Sequence, residues 1–149
     1  IPSGNSVALL NLLRLARITG ETGLEEKARQ LSALYANNVK QAPLGFTQFL
    51  CGWDFLTGPA YEVVIVGNSR ADDTHAMLAA IRKSFIPNKV VIFRPAEQES
   101  PPITRLAEFV KDYRPVNNQA TAYVCVNRNC KLPTMDINEM LALLGVKKP

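Results

Sequence analysis

A chain of 149 residues, 47% hydrophobic and 20% charged, has the make-up of a soluble globular protein and room for one domain or a domain with a piece of another. No apolar run approaches the ~18 residues of a helical membrane span, which argues against membrane insertion. The net charge of +4 comes from 17 basic and 13 acidic residues that interleave, as in "GETGLEEKAR" and "RLAEFVKDYR", so there is no basic stripe to favour nucleic acid.

In chain order, "GNSVALLNLLRLARITG" carries apolar residues around most of the helix circumference from Val7 to Ile18, and Gly20 supplies a left-handed stop. Such a helix is expected to be buried on most sides. Thr22-Gly-Leu-Glu25 has capping-box spacing and opens a second helix to about Lys40, with Leu24, Ala28, Leu31 and Tyr35 on one stripe. A third helix is predicted through "PLGFTQFLCGWDFLTGP", where Phe46, Phe49, Leu50, Trp53 and Leu56 share a face between Pro43 and the stop at Gly58-Pro59. Residues 1–57 thus read as a helical segment.

The grammar changes over residues 58–149. "YEVVIVG" and "KVVIFRP" are short β-branched runs flanking "ADDTHAMLAAIRKSF", whose Met77, Leu78, Ile81 and Phe85 form a helical stripe; this is a β-α-β unit. A helix from about Pro102 to Tyr113, a third strand at "TAYVCV" and a last helix from about Met135 to Leu144 follow. Apolar strands alternating with helices predict an α/β module of about three parallel strands, covered on both faces and joined by right-handed crossovers.

Open parallel sheets bind ligands beyond the carboxyl ends of their strands. That directs attention to "GNSRADD" (67–73), "RPAEQES" (94–100) and "NRNCKLP" (127–133), expected along one edge, with Ser69 and Arg94 as candidate ligand-binding residues. The first segment lacks the later glycines of a dinucleotide fingerprint. Asp72 and Asp73, read as N-caps, also put negative charge where a phosphate would sit, so no cofactor is expected. His75 is the only histidine and falls in the first turn of a helix instead of beside a cysteine in sequence; Cys-His chemistry across the fold stays geometrically open, and the catalytic residues stay unknown. Cys51, between Leu50 and Gly52, reads as a small packing hydrophobe.

Three cysteines are too few for a disulfide framework and leave an odd thiol, which favours a reducing, cytoplasmic home. In "TAYVCVNRNCKLP", strand alternation sets Tyr123 and Cys125 on one face and Val124 on the other, with Cys130 beyond an Asn127-Arg128-Asn129 turn. A structural zinc needs four ligands, and Cys51 and His75 offer no paired spacing, so no metal is expected. A dithiol catalyst would present C-x-x-C at a helix N-terminus, whereas Cys125 lies in a strand. A facultative Cys125–Cys130 bridge and plain packing or turn-fixing stay open, since a turn can bring two Cα atoms within the ~4.4–6.8 Å a bridge requires.

The chain opens Ile-Pro-Ser, without an initiator Met or signal-peptide core, and is expected to be an excised piece of something longer. Taken together, "PSGNS" opening a buried helix, "FLCGWDFLTGP" leading into "EVVIVG", "MLAAIRKSFIPNKVV" and "ATAYVCVNRNCKLP" resemble the C-terminal region of the spermatogenesis-associated, thioredoxin-domain-containing protein family over nearly the whole chain. The resemblance implies a parent with an N-terminal thioredoxin-like domain and a central helical toroid similar to that of N-acylglucosamine and cellobiose epimerases. Residues 1–57 would be the last helices of that α/α toroid. The implied partners are the upstream domains of the same chain, or a second copy where those are missing.

Acid-base residues and thioredoxin-like cysteines would lie upstream. The expected function is therefore a non-catalytic terminal module that completes and stabilises the toroid, the parent's reaction staying open between sugar processing and redox chemistry. The rival expectation is a redox or small-ligand-binding module using the strand ends with Ser69, Arg94, Cys125 and Cys130. Ser3-Gly4-Asn5-Ser6 is the one segment expected to reach a toroid cavity, with Ser3 and Asn5 facing a sugar hydroxyl; its alternative is an N-cap turn.

Overall fold

The computed structural model describes residues 2–146. The chain divides into two compact units, Ile1–Ala60 and Tyr61–Pro149.

The first unit is three helices: α1 (Gly4–Thr19), α2 (Thr22–Gln41) and α3 (Thr47–Thr57), with a 3-10 turn at Pro43–Phe46 before α3. Ser3 caps α1, its hydroxyl accepting from the Ser6 N–H at 3.2 Å, and Gly20 ends it at φ 81° with its N–H on the Ala16 carbonyl. Within the three-helix unit α1 is covered along one stripe only. Ser6, Leu9, Leu13 and Ala16 form one buried stripe, while Val7 and Leu15 remain 42% and 47% exposed. Among the described residues, α2 and α3 are the helices that pack on it.

The capping box at Thr22 also does not form. Glu21 takes the N-cap position without a side-chain bond, and Glu25 pairs instead with Arg29 at 2.7 Å. Phe49 and Phe55 are buried from α3, and Phe49 gathers Tyr35, Phe46 and Trp53 at ring separations of 5.5, 6.3 and 6.0 Å. The Trp53 indole donates to the Ser32 hydroxyl, meeting the need of a half-buried N–H. At Gly52 a Cβ would lie 2.7 Å from Leu9 Cδ2, so glycine sets how closely α3 approaches α1. Cys51, expected to pack as a small hydrophobe, is instead exposed.

The second unit is a four-stranded sheet in the order β2-β1-β3-β4, made of β1 (Tyr61–Gly67), β2 (Lys89–Pro95), β3 (Thr121–Val126) and β4 (Asn129–Cys130). The expected all-parallel sheet is corrected. Only β1 and β2 run parallel, through α4 (Asp72–Lys83), whereas β3 runs antiparallel to β1 and turns directly into β4. The cause lies in the connection. The helix expected from Pro102 to Tyr113 is reduced to α5 (Ile103–Leu106) and a 3-10 turn at Glu108–Val110, broken where Ala107 leaves helical geometry. That segment does not form the full crossover helix of a second βαβ unit.

Val63, Val64, Ile65 and Val66 are each at most 2% exposed, each burial contributing roughly 1.5–3 kcal/mol. Val63 and Ile65 meet Met77 and Ile81 of α4 and Met140 of α6 (Ile137–Leu143), with Ala122 and Val124 beside them. Ala107 and Val110 are buried in the connection after β2. Phe85, expected in the α4 stripe, is 91% exposed because α4 ends at Lys83 and Ser84 is extended; Ile86 enters the core instead.

Candidate functional site

The loops after β1 and β2 meet because parallel strands end together. The Ala96 N–H continues the ladder onto the Gly67 carbonyl at 2.9 Å, and this delivers Glu97 to Ser69. The Ser69 N–H donates to Glu97 Oε2 at 3.2 Å and the Ser69 hydroxyl donates to Oε1. The Ser69 side chain, more than any other group, holds the Glu97 carboxyl below the usual glutamate range. Asn68 makes an Asx turn, its Oδ1 accepting from the Arg70 N–H at 2.9 Å. His75 Nε2–H donates to the Ser69 carbonyl at 2.8 Å, which leaves Nδ1 as the acceptor nitrogen in the neutral ring.

Neither Asp72 nor Asp73 is the N-cap, since Ala71 holds that position and both lie in the first turn of α4. The Asp73 carboxylate accepts from the Thr74 N–H at 2.7 Å and from the Ala120 N–H at 2.8 Å, tying the start of α4 to the start of β3. The Ala120 bond is the main reason its carboxyl sits below the ordinary aspartate value. Gly67 makes this closure feasible, since a Cβ there would lie 2.3 Å from Thr74 Oγ1 and 3.3 Å from Ala120 Cα. Beside the loop is a cleft of about 310 Å³ lined by Ser69, Thr74, His75, Leu78, Arg82 and Phe93.

Arg94 does not join Ser69 there. Register and alternation put its side chain with Val66 and Thr121 on the opposite sheet face, where it is 2% exposed. Its Nη2 donates to the Lys111 carbonyl at 3.5 Å, and its Nε has no partner. The segment 127–133, expected on the same edge, lies at the other end of the sheet because β3 is antiparallel: Val126 pairs with Tyr61, at the start of β1.

At that far end Cys125 and Cys130 are bridged across the hairpin. Asn127 and Arg128 have φ of 49° and 66°, the left-handed pair of a type I′ turn. With Val126 opposite Asn129 and the Lys131 N–H on the Val124 carbonyl at 2.9 Å, Cys125 and Cys130 form the intervening pair whose side chains come closest. Glu62, 6% exposed in an otherwise apolar strand, accepts from the Arg128 N–H at 3.1 Å and so fastens the turn. Among the described residues no three His, Cys, Asp or Glu side chains are grouped to hold a metal.

In the helical unit, Ser3, Ser6, Leu44, Phe46 and Gln48 line a separate cleft of about 460 Å³. The Ser3 hydroxyl is already shared with the Ser6 hydroxyl at 2.9 Å, and Asn5 Nδ2 donates to the Tyr35 hydroxyl. Reading the sequence missed the Ser69–Glu97 clamp, the reach of Asp73 and the anchoring role of Glu62. Of these only Glu62 left a signal, a lone charge inside "YEVVIVG" that demands a partner.

No family model and no solved structure matches the chain. Three mammalian proteins do, each named spermatogenesis-associated protein 20. The human one is 32% identical over 143 residues, the rat one 31% and the mouse one 30%. Each match covers 96% of this chain and 18% of the relative, so the chain spans about a fifth of their length.

Proposed function

This chain belongs to the family of spermatogenesis-associated protein 20, and from that premise we propose that it is a non-catalytic terminal module of a longer cytoplasmic protein. Its three helices complete and stabilise a sugar-epimerase-like toroid, in a parent that also carries a thioredoxin-like domain. The observation that carries this reading is the outward flank of α1, where Val7 and Leu15 are 42% and 47% exposed on a helix with apolar residues nearly all round. Apolar surface of this kind fits a partner's face. Leu44, 90% exposed before α3, adds to it.

The test is to express residues 1–149 apart from the remainder of the parent and measure their association. They should re-associate, the chain alone should self-associate at high concentration, and Val7→Lys with Leu15→Lys should weaken both. A strictly monomeric chain that ignores the remainder of the parent would overturn the reading. So would turnover of a sugar or disulfide by the chain alone that is abolished by a point substitution within it. A second reading, a redox or small-ligand module, draws support from the Cys125–Cys130 bridge with Cys130 exposed. It requires thiol–disulfide exchange coupled to turnover, and loss of that turnover in Cys130→Ser.

A further inference from the structure

We infer that the open edge of β2 and the adjoining flank of α4 form a docking groove for an extended segment of a partner protein, one that alternates acidic and apolar residues and adds as a strand. The inference stands on the second unit alone and does not depend on the toroid reading. β2 is terminal in the sheet. The Tyr61 N–H bonds the Asn88 carbonyl and the Ala96 N–H bonds the Gly67 carbonyl, so the ladder turns the backbone groups of residues 90, 92 and 94 toward β1. Those of Val91 and Phe93 point outward, and among the described residues no backbone group meets them.

Edge strands are normally blunted by charge, proline or a bulge. Here Lys89 and Pro95 stand only at the two ends of β2, and the middle is open, with Val91 37% exposed and Phe85 beside the strand entry 91% exposed. The groove runs between this edge and α4. His75, Leu78 and Arg82 recur at helical spacing on one flank of α4 and, with Phe93, line the cleft of about 310 Å³ described above. A strand laid beside β2 would direct alternate side chains toward that cleft. Leu78 and Phe93 suit an apolar one.

Charge selects the occupant. The cleft lining holds Arg82 and His75 and no carboxylate, and Arg82 has no acidic partner among the described residues. The acids nearby, Asp72, Asp73 and Glu97, keep their charge but gather at the first turn of α4 and the loop bonded to Ser69, at the opposite end of the helix from Arg82. A second copy of β2 is a poor occupant, because "KVVIFRP" has two cations and no acid and would set Lys89 and Arg82 against like charges. A partner segment with carboxylates flanking an apolar side chain satisfies Arg82, the cleft and the edge at once.

The experiment titrates an acetylated peptide of alternating Glu and Val into the isotopically labelled chain and into the full-length parent, with a Lys/Val peptide as control. Amide shifts should concentrate on residues 75–82 and 89–95 in both proteins, and affinity should fall at least tenfold in Arg82→Glu. Val91→Pro, which removes an outward N–H without touching the β1 ladder, should also weaken binding at least tenfold. Equal binding of the Lys/Val peptide, shifts centred elsewhere, or unchanged affinity in Arg82→Glu would overturn the inference. So would absence of binding to the full-length parent, or dimerisation of the chain through β2.

Discussion

Replacing both Cys125 and Cys130 by alanine should leave a folded protein that is about 2–3 kcal/mol less stable. The bridge joins residues five positions apart, and closing so short a loop in the unfolded chain is worth about 2 kcal/mol in the loop-entropy account. Cys125 is 7% exposed, so its truncation empties one sulfur site in the sheet face, on the order of 1 kcal/mol; Cys130 is exposed and adds little. The hairpin keeps its other supports, the left-handed Asn127-Arg128 turn and the Glu62 carboxylate on the Arg128 N–H. The assay is a urea titration by far-UV circular dichroism, with amide exchange over β1 and β3 to localise the effect. Trp53 fluorescence is unsuited, because that residue lies in the helical unit. The midpoint should fall by about 1–2 M, a thiol reductant should reproduce most of the shift in the native chain, and a chelator should change nothing. Failure of the variant to fold, or unfolding by a chelator, would refute the reasoning and make the pair an obligatory staple or a metal site.

Gly52→Ala should destabilise the helical unit by about 1–3 kcal/mol, since its Cβ would press on the Leu9 side chain, which is 0% exposed and must shift to admit it. Gly23→Ala, where nothing lies within 4 Å, serves as the control and should be neutral or stabilising in thermal denaturation. Asp73→Asn should cost about 1 kcal/mol at neutral pH, a charge-assisted hydrogen bond discounted for the exposure of the carboxylate. The folded carboxyl sits below its unfolded value, so its contribution is complete above about pH 4 and lost as pH falls through the lower folded value. The difference between variant and parent in urea titrations should therefore shrink as the pH is taken progressively below about 4, and a pH-independent gap would count against the assignment.

The β1-α4-β2 unit was legible because two β-branched runs flank a period-3.6 stripe; both runs become strands, and the stripe holds through Met77, Leu78 and Ile81 but loses Phe85. Strand direction was not. "TAYVCV" is as apolar as "YEVVIVG" and reads the same either way up; the information lay in the connection, where Ala107 interrupts the helix that a second crossover would need. The candidate site shared that error, because placing residues 127–133 beside 67–73 depends on a parallel β3. Ser69 reaches the cleft, whereas Arg94 follows the alternation of β2 to the opposite face. Asp73 and Glu97 act through partners 47 and 28 positions away, which no local pattern encodes. The turn at Asn127-Arg128 was legible from its residue types, but whether the flanking cysteines join depends on hairpin register.

The central position of β1 has a consequence for how the chain is made. During synthesis Tyr61–Gly67 finds its first partner, Lys89–Pro95, within one local unit, and closing that pair requires only α4 between them. Its other side waits for Thr121–Val126, so a ribosome-bound intermediate carries a seven-residue apolar strand with one flank unsatisfied. Until β3 leaves the exit tunnel, that flank of β1 is open to wrong pairing. Release from that hazard comes when β3 arrives and the Asp73 carboxylate locks onto the Ala120 N–H just ahead of it.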